Sequence, residues 1–176
     1  MRAPISGIMA SAMLVAAPVH AGPAAPPQPA GETRGVDYLV LHSEDFQSFV
    51  GNWEGDAPLC GLIGSQADWD RYMHGAAVMG PQHRPFAPPA SLWQGHVAFF
   101  LARVARNPSG QPHSRLSIDW VERAQGSLTV RTNFSQASGT GGYQSKEAVF
   151  VVVPRPSPAT LTFSDRDGTS CTVRGR

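Results

Sequence analysis

Val97-Ala98-Phe99-Phe100-Leu101-Ala102 is apolar at every position. Alternate side chains of a strand point to opposite faces, so such a run must be covered on both sides and belongs in the middle of a layered β structure. Val149-Phe150-Val151-Val152-Val153 reads the same way, and Pro154 ends it. Two hairpins lie further out. Leu116, Ile118 and Trp120 share one parity, as do Leu128, Val130, Thr132 and Phe134. Putting both apolar sets on one face predicts Trp120 opposite Val130 and Leu116 opposite Phe134. The loop is then the three residues Ala124-Gln125-Gly126, with Gly126 left-handed. This register also sets Asp119 opposite Arg131, a favourable cross-strand pair, whereas a two-residue loop would place Trp120 opposite Arg131. Leu161 and Phe163 against Cys171 and Val173 predict a second hairpin closed by Arg166-Asp167-Gly168.

Towards the N-terminus, Val36, Tyr38 and Val40 alternate with Asp37 but not with Leu39 or Leu41, which predicts a strand covered on both sides. Leu59 to Ile63, bounded by Pro58 and Gly64, predicts another. Ser65-Gln66-Ala67-Asp68 has the form of a capping box with Asp in place of Glu. Trp69, Tyr72, Met73 and Ala76 follow at helical spacing, with Gly75 or Gly80 to end the segment. A second, weaker helix is expected over Ser43 to Phe49, with Ser43 as its N-cap. Four prolines between Pro81 and Pro89 predict an irregular crossing. The fold expected is mainly β with one short helix (α+β), an antiparallel sandwich or partly open barrel built from hairpins, as a single β-rich domain over 36–176.

What precedes that domain reads as targeting. Arg2, the apolar run Ile8 to Ala17 and the small residues of Val19-His20-Ala21 have the layout of a signal peptide over 1–21, cleaved before Gly22. The apolar run is too short to span a bilayer, so no membrane span is expected in the mature chain. Residues 22–35 form a Pro/Ala-rich leader with too little apolar surface to offset ordering entropy, and are expected to be disordered. The location expected is therefore the periplasm or the extracellular space. Losing Arg2 and no acidic residue takes the formal charge from +1 to 0. Nucleic acid and anionic lipid, which call for a basic surface, are not expected partners. Cys60 and Cys171 are the two cysteines, and in an oxidising compartment they are expected to pair.

The motifs of common hydrolases, metalloproteases and nucleotide-binding loops do not occur in the chain. His42, His74, His83, His96 and His113 fall in five separate segments, so no metal site and no cofactor is expected. Asp165-x-Asp167-Gly168 resembles part of a calcium loop but lacks its third acidic ligand and its downstream Glu, and the hairpin accounts for it. Trp69 and Trp120 fall on apolar faces and are expected in the core, while Trp53 and Trp93 flank loops. Ser138-Gly139-Thr140-Gly141-Gly142-Tyr143 is a glycine-rich loop ahead of the most apolar strand. Its glycines either permit a sharp turn into that strand or form an exposed recognition loop. In the second case Gly139, Gly141, Gly142 and Tyr143 are the binding residues, with Tyr143 as an amphipathic anchor.

The order of these pieces resembles the C-terminal domain of the bacterial protease complex subunit PrcB family. The resemblance is carried by Ile63-Gly64-Ser65-Gln66-Ala67-Asp68-Trp69, the Val97 to Ala102 run, Leu128-Thr129-Val130, and Val149-Phe150-Val151-Val152-Val153-Pro154-Arg155. Gly141-Gly142-Tyr143 follows the Leu-x-Val strand here, whereas the family places its Gly-Gly-Tyr element before that strand. The resemblance implies a non-catalytic partner that binds or stabilises an envelope or secreted protein, such as a protease. The function expected is thus an exported, non-enzymatic protein-interaction module with a protein partner in the cell envelope. Two other classes compete: a glycan or small-ligand binder using Trp53 or Trp93, and an exported hydrolase with dispersed residues such as His96 and Asp119.

Overall fold

The two runs that are apolar on both parities pair with each other in the middle of a four-stranded sheet. The structure, a computed structural model, describes residues 37–76, 84–110 and 113–176; the expected signal segment 1–21, the leader 22–35 and the start of the proline-rich crossing lie outside them. In chain order the elements are β1 (Leu39–His42), β2 (Ser48–Val50), β3 (Leu59–Ile63), α1 (Gln66–Tyr72), β4 (Met73–Gly75) and α2 (Leu92–Gly95). The long strands follow: β5 (His96–Asn107), β6 (Arg115–Ala124), β7 (Ser127–Ser135), β8 (Tyr143–Pro154), β9 (Thr160–Asp165) and β10 (Ser170–Arg174). The first sheet has the order β1-β8-β5-β3, the second β10-β9-β7-β6, and β2 and β4 form a separate ribbon. Strand accounts for 53 % and helix for 11 % of the structure, and both sheets are open, so the mainly-β expectation holds as a sandwich and not a closed barrel. One pairing, β7 with β9, is parallel, because β8 crosses to the first sheet between them.

Burial explains the double apolarity. Val97, Phe99, Leu101, Val149, Val151 and Val153 face Leu128, Val130, Leu161 and Phe163 of the second sheet. The opposite parity, including Ala98, Phe100, Phe150 and Val152, packs under Phe46, Trp69 and Trp93. Trp69 is the centre of that cover, with ring centroids 4.9 Å from Phe46 and 5.2 Å from Phe150.

The helix carrying Trp69 starts as its sequence predicts. Ser65 Oγ accepts the Asp68 N–H at 3.1 Å, and Asp68 Oδ2 accepts from the Gly64 N–H at 3.0 Å and from the Ser65 hydroxyl at 3.0 Å. It ends earlier than the spacing predicts. Met73 to Gly75 leave the helix to pair with Ser48 to Val50, which buries Met73 and Val50; a segment this short follows tertiary packing over propensity. The same ribbon overturns the helix expected over Ser43 to Phe49, which is one 3-10 turn, Ser43–Asp45, followed by strand. Ser43 does not cap it. Its Oγ instead accepts the Ala148 N–H at 3.0 Å and continues the ladder where β1 stops.

The second hairpin has the expected register, with Leu161 opposite Val173, Phe163 opposite Cys171 and Gly168 at φ +86° in its loop. The first hairpin differs. Leu116 lies opposite Phe134 as expected, but a bulge at Asp119 shifts the register, so Trp120 faces Arg131 and Val121 faces Val130. The turn is then the two residues Gln125-Gly126, at φ +48° and +80°, the paired left-handed geometry that matches strand twist. The bulge exchanges Trp120 for Val121 in the core. Asp119 is not opposite Arg131; its carboxylate binds Arg166 at 2.7 Å. Trp120 is 40 % exposed, which corrects its expected place in the core. Trp120→Ala should therefore change unfolding free energy by less than about 1 kcal/mol in urea titration, not by the loss typical of a core aromatic.

Cys60 and Cys171 form the expected disulfide, with Cα atoms 6.3 Å apart, joining edge strand β3 of one sheet to edge strand β10 of the other. The opposite side of the sandwich, between β1 and β6, has no such tie among the described residues.

Candidate functional site

That untied side opens into a cleft of about 890 Å³, lined among others by His42, Glu44, His113, Arg115, Tyr143 and Glu147. Three separate segments build it: the end of β1 and the turn after it, the start of β6, and the start of β8. β1 pairs with β8 only from Val149 to Val152, so β8 runs on from Tyr143 to Ala148 paired with β5 alone, as one strand of a two-stranded arm.

The base of the arm is pinned by a buried amide. Asn107 is 4 % exposed; its Nδ2 donates to Ser145 Oγ at 2.9 Å and its Oδ1 accepts the Ser114 N–H at 2.8 Å. Ser145 Oγ donates in turn to Glu147 Oε1 at 2.8 Å. Ser114 Oγ donates to the Arg106 carbonyl and accepts the Ala137 N–H at 3.0 Å. The hydroxyls nearest the cleft are thus engaged in holding β5, β6 and β8 together. Across the mouth, Arg115 lies 3.9 Å from Glu44, an exposed pair of little energetic weight.

The glycine-rich loop delivers Tyr143 to this cleft. Gly139, Gly141 and Gly142 have φ of 152°, 75° and 89°. At Gly142 the backbone passes so close to the preceding arm strand that a Cβ would lie 2.0 Å from the Asn107 carbonyl oxygen, whereas at Gly141 a Cβ would meet open space. Gly142→Ala should accordingly cost about 1–3 kcal/mol or more and lower the urea midpoint further than Gly141→Ala, which carries the backbone penalty alone. Tyr143 itself is 57 % exposed, and its hydroxyl is 3.0 Å from His113 Nδ1. It starts β8 without entering the core, so the glycines shape a turn and also present an accessible phenol.

The other candidate residues are dispersed. Trp93 is 7 % exposed, with its indole N–H on Gln66 Oε1 at 3.3 Å. Trp53 donates to the Ala57 carbonyl at 3.1 Å and lies beneath Lys146, whose Nζ is 5.4 Å from the ring centroid. Neither is an open shelf. His96 and Asp119 are not brought together: His96 begins β5 in the first sheet, in a shallow depression with Asp37 and Leu39, and Asp119 is bound by Arg166 at the β6 bulge. Among the described residues no cluster of three or more His, Cys, Asp or Glu is arranged to hold a metal ion. His83 lies outside the described residues. Sequence reading missed His113, Arg115 and Glu147 as neighbours of Tyr143, because no local pattern joins segments so far apart.

Fold and cleft together define a class: an open β-sandwich, bridged by a disulfide along one side and carrying a polar cleft with an exposed tyrosine along the other. Comparison with protein-family models, with curated proteins and with solved structures gives no match for this chain.

Proposed function

We propose that the chain is an exported, non-enzymatic module that binds a protein partner in the cell envelope or outside it, in the accessory manner that the resemblance to the PrcB family implies. The observation that carries this reading is Tyr143, held by His113 at the mouth of a polar cleft and 57 % exposed. Aromatic side chains of this kind supply contact area with little rotamer entropy to lose, and their hydroxyls suit a wet rim. The engaged hydroxyls of Ser114 and Ser145 favour contact over nucleophilic chemistry. A disulfide between two strand edges suits an oxidising location, periplasmic or extracellular, and among the described residues no helix is long and apolar enough to cross a membrane.

The test is cross-linked capture from the envelope fraction by the exported chain and by Tyr143→Ala. The variant should melt within about 3 °C of the wild type, roughly 1 kcal/mol in a domain of this size, and should lose most of its captured partner. A markedly lower melting temperature with capture intact would make Tyr143 a structural residue and remove the reading.

A further inference from the structure

We propose that the outer face of the second sheet binds a neutral, β-1,4-linked glycan chain, with Trp120 as its stacking platform. The face is a grid. Trp120, Arg131, Ser164 and Ser170 form one row across all four strands, and Glu122, Thr129, Thr162 and Thr172 form the next. Three strand spacings of about 4.8 Å make each row run nearly straight for about 14 Å, which suits a short stretch of an extended β-1,4-linked chain over a coiled one. Three features of the grid point to that ligand.

The first is the bulge. Without it Trp120 would fall on the core parity; with it the indole stands outward, and Asp119 at the bulge is held by Arg166 from the neighbouring hairpin loop through Nη2 at 2.7 Å and Nε at 3.1 Å. The second is what surrounds the indole. On these two rows it is the one large apolar side chain, and every other position is a hydroxyl, a carboxylate or a guanidinium. A protein interface of standard size buries about 800 Å² per partner around a centre richer in apolar and aromatic groups, and one ring among hydroxyls is a sparse centre for it. A pyranose chain needs what is there: a flat aromatic under the C–H face of one ring and short polar groups beside the hydroxyls of the next.

The third is orientation. Arg131 Nη1 reaches Ser164 Oγ at 3.4 Å, which lays the guanidinium along its row, and Thr162 and Thr172 share a hydroxyl bond of 2.9 Å. That bond uses one of the two protons and leaves the other hydroxyl free to donate outward. Glu122 and Arg131 beside the indole balance in charge, which suits an uncharged ligand.

Calorimetric titration of the full chain with chitohexaose and cellohexaose tests this, since the two share the β-1,4 backbone and differ in the N-acetyl group. At least one should bind saturably. Trp120→Ala should weaken that binding by about tenfold or more and Arg131→Gln by several-fold, while Trp120→Tyr keeps most of it. Tyr143→Ala should bind as the wild type does, so this site and the cleft fail independently. The wild type binding neither hexaose would overturn the proposal, and so would folded Trp120→Ala binding with unchanged affinity. Loss of a captured protein partner on Trp120→Ala, with neither hexaose bound, would assign the face to protein contact.

Discussion

Arg103→Ala is expected to cost about 3–5 kcal/mol of stability, a large share of what a domain of this size possesses. Arg103 is on β5 in the first sheet, yet its Nη1 lies 2.7 Å from Asp165 Oδ2 at the end of β9 in the second, and its Nη2 lies 3.1 Å from Asp167. Its guanidinium also stacks 4.5 Å from the Phe134 ring centroid. Asp165 is 4 % exposed, so the alanine variant leaves a buried carboxylate whose remaining partner here is the Arg166 N–H. Urea denaturation of the single variant and of Arg103→Met/Asp165→Leu separates the causes: the double variant should recover more than half the loss, because it removes the orphaned charge. Acid should weaken the same junction. Asp167 is held below the ordinary aspartate range, first by the Thr169 N–H and hydroxyl and then by Arg103. A carboxylate depressed in the folded state stabilises fully above its unfolded value, and that contribution fades as pH falls towards and below the depressed one. With half of Asp167 exposed, its contribution is small beside the loss of Arg103.

Cys60→Ala/Cys171→Ala should lower stability by about 4–5 kcal/mol, the chain-entropy value for so long a closed loop. The bridge spans 111 positions, so it constrains most of the described chain when unfolded. Urea midpoints with and without reductant measure the effect, and the m-value should rise on reduction as the unfolded chain exposes more surface. Equal midpoints would show that the two sheets hold together without the bridge.

How much of this was legible depended on the range of the signal. The doubly apolar runs Val97 to Ala102 and Val149 to Val153, the Ser65 cap, the second hairpin and the cysteine pair follow from local pattern and composition, and the structure has all of them. The strand at Leu39, by contrast, is an edge strand with Leu39 exposed and not covered on both sides. The first hairpin misled because Leu116, Ile118 and Trp120 keep perfect alternation, and a bulge at Asp119 leaves no trace in a period-two pattern. The partner that accompanies it is distant in sequence: Arg166, in another hairpin, binds the Asp119 carboxylate at 2.7 Å. The short helix expected at Ser43 failed for a similar reason, since the Ala148 N–H that occupies its hydroxyl is 105 positions away. At the cleft, Tyr143 was visible as an aromatic after glycines, but the companions that make it a site were not.

The bulge has a further consequence, for behaviour in concentrated solution. β6 is the outer strand of its sheet, and an outer strand with straight, unpaired backbone invites a second copy to dock alongside it. Here the kink at Asp119 interrupts that backbone midway, and Arg115, Glu122 and Arg123 set charges on either side of it. Deleting Asp119, the extra residue, would straighten the strand with Trp120 still opposite Arg131, and would offer an uninterrupted rail for intermolecular pairing. The residue that breaks the strand's pairing register is thus also the one that makes its edge a poor template for a second copy.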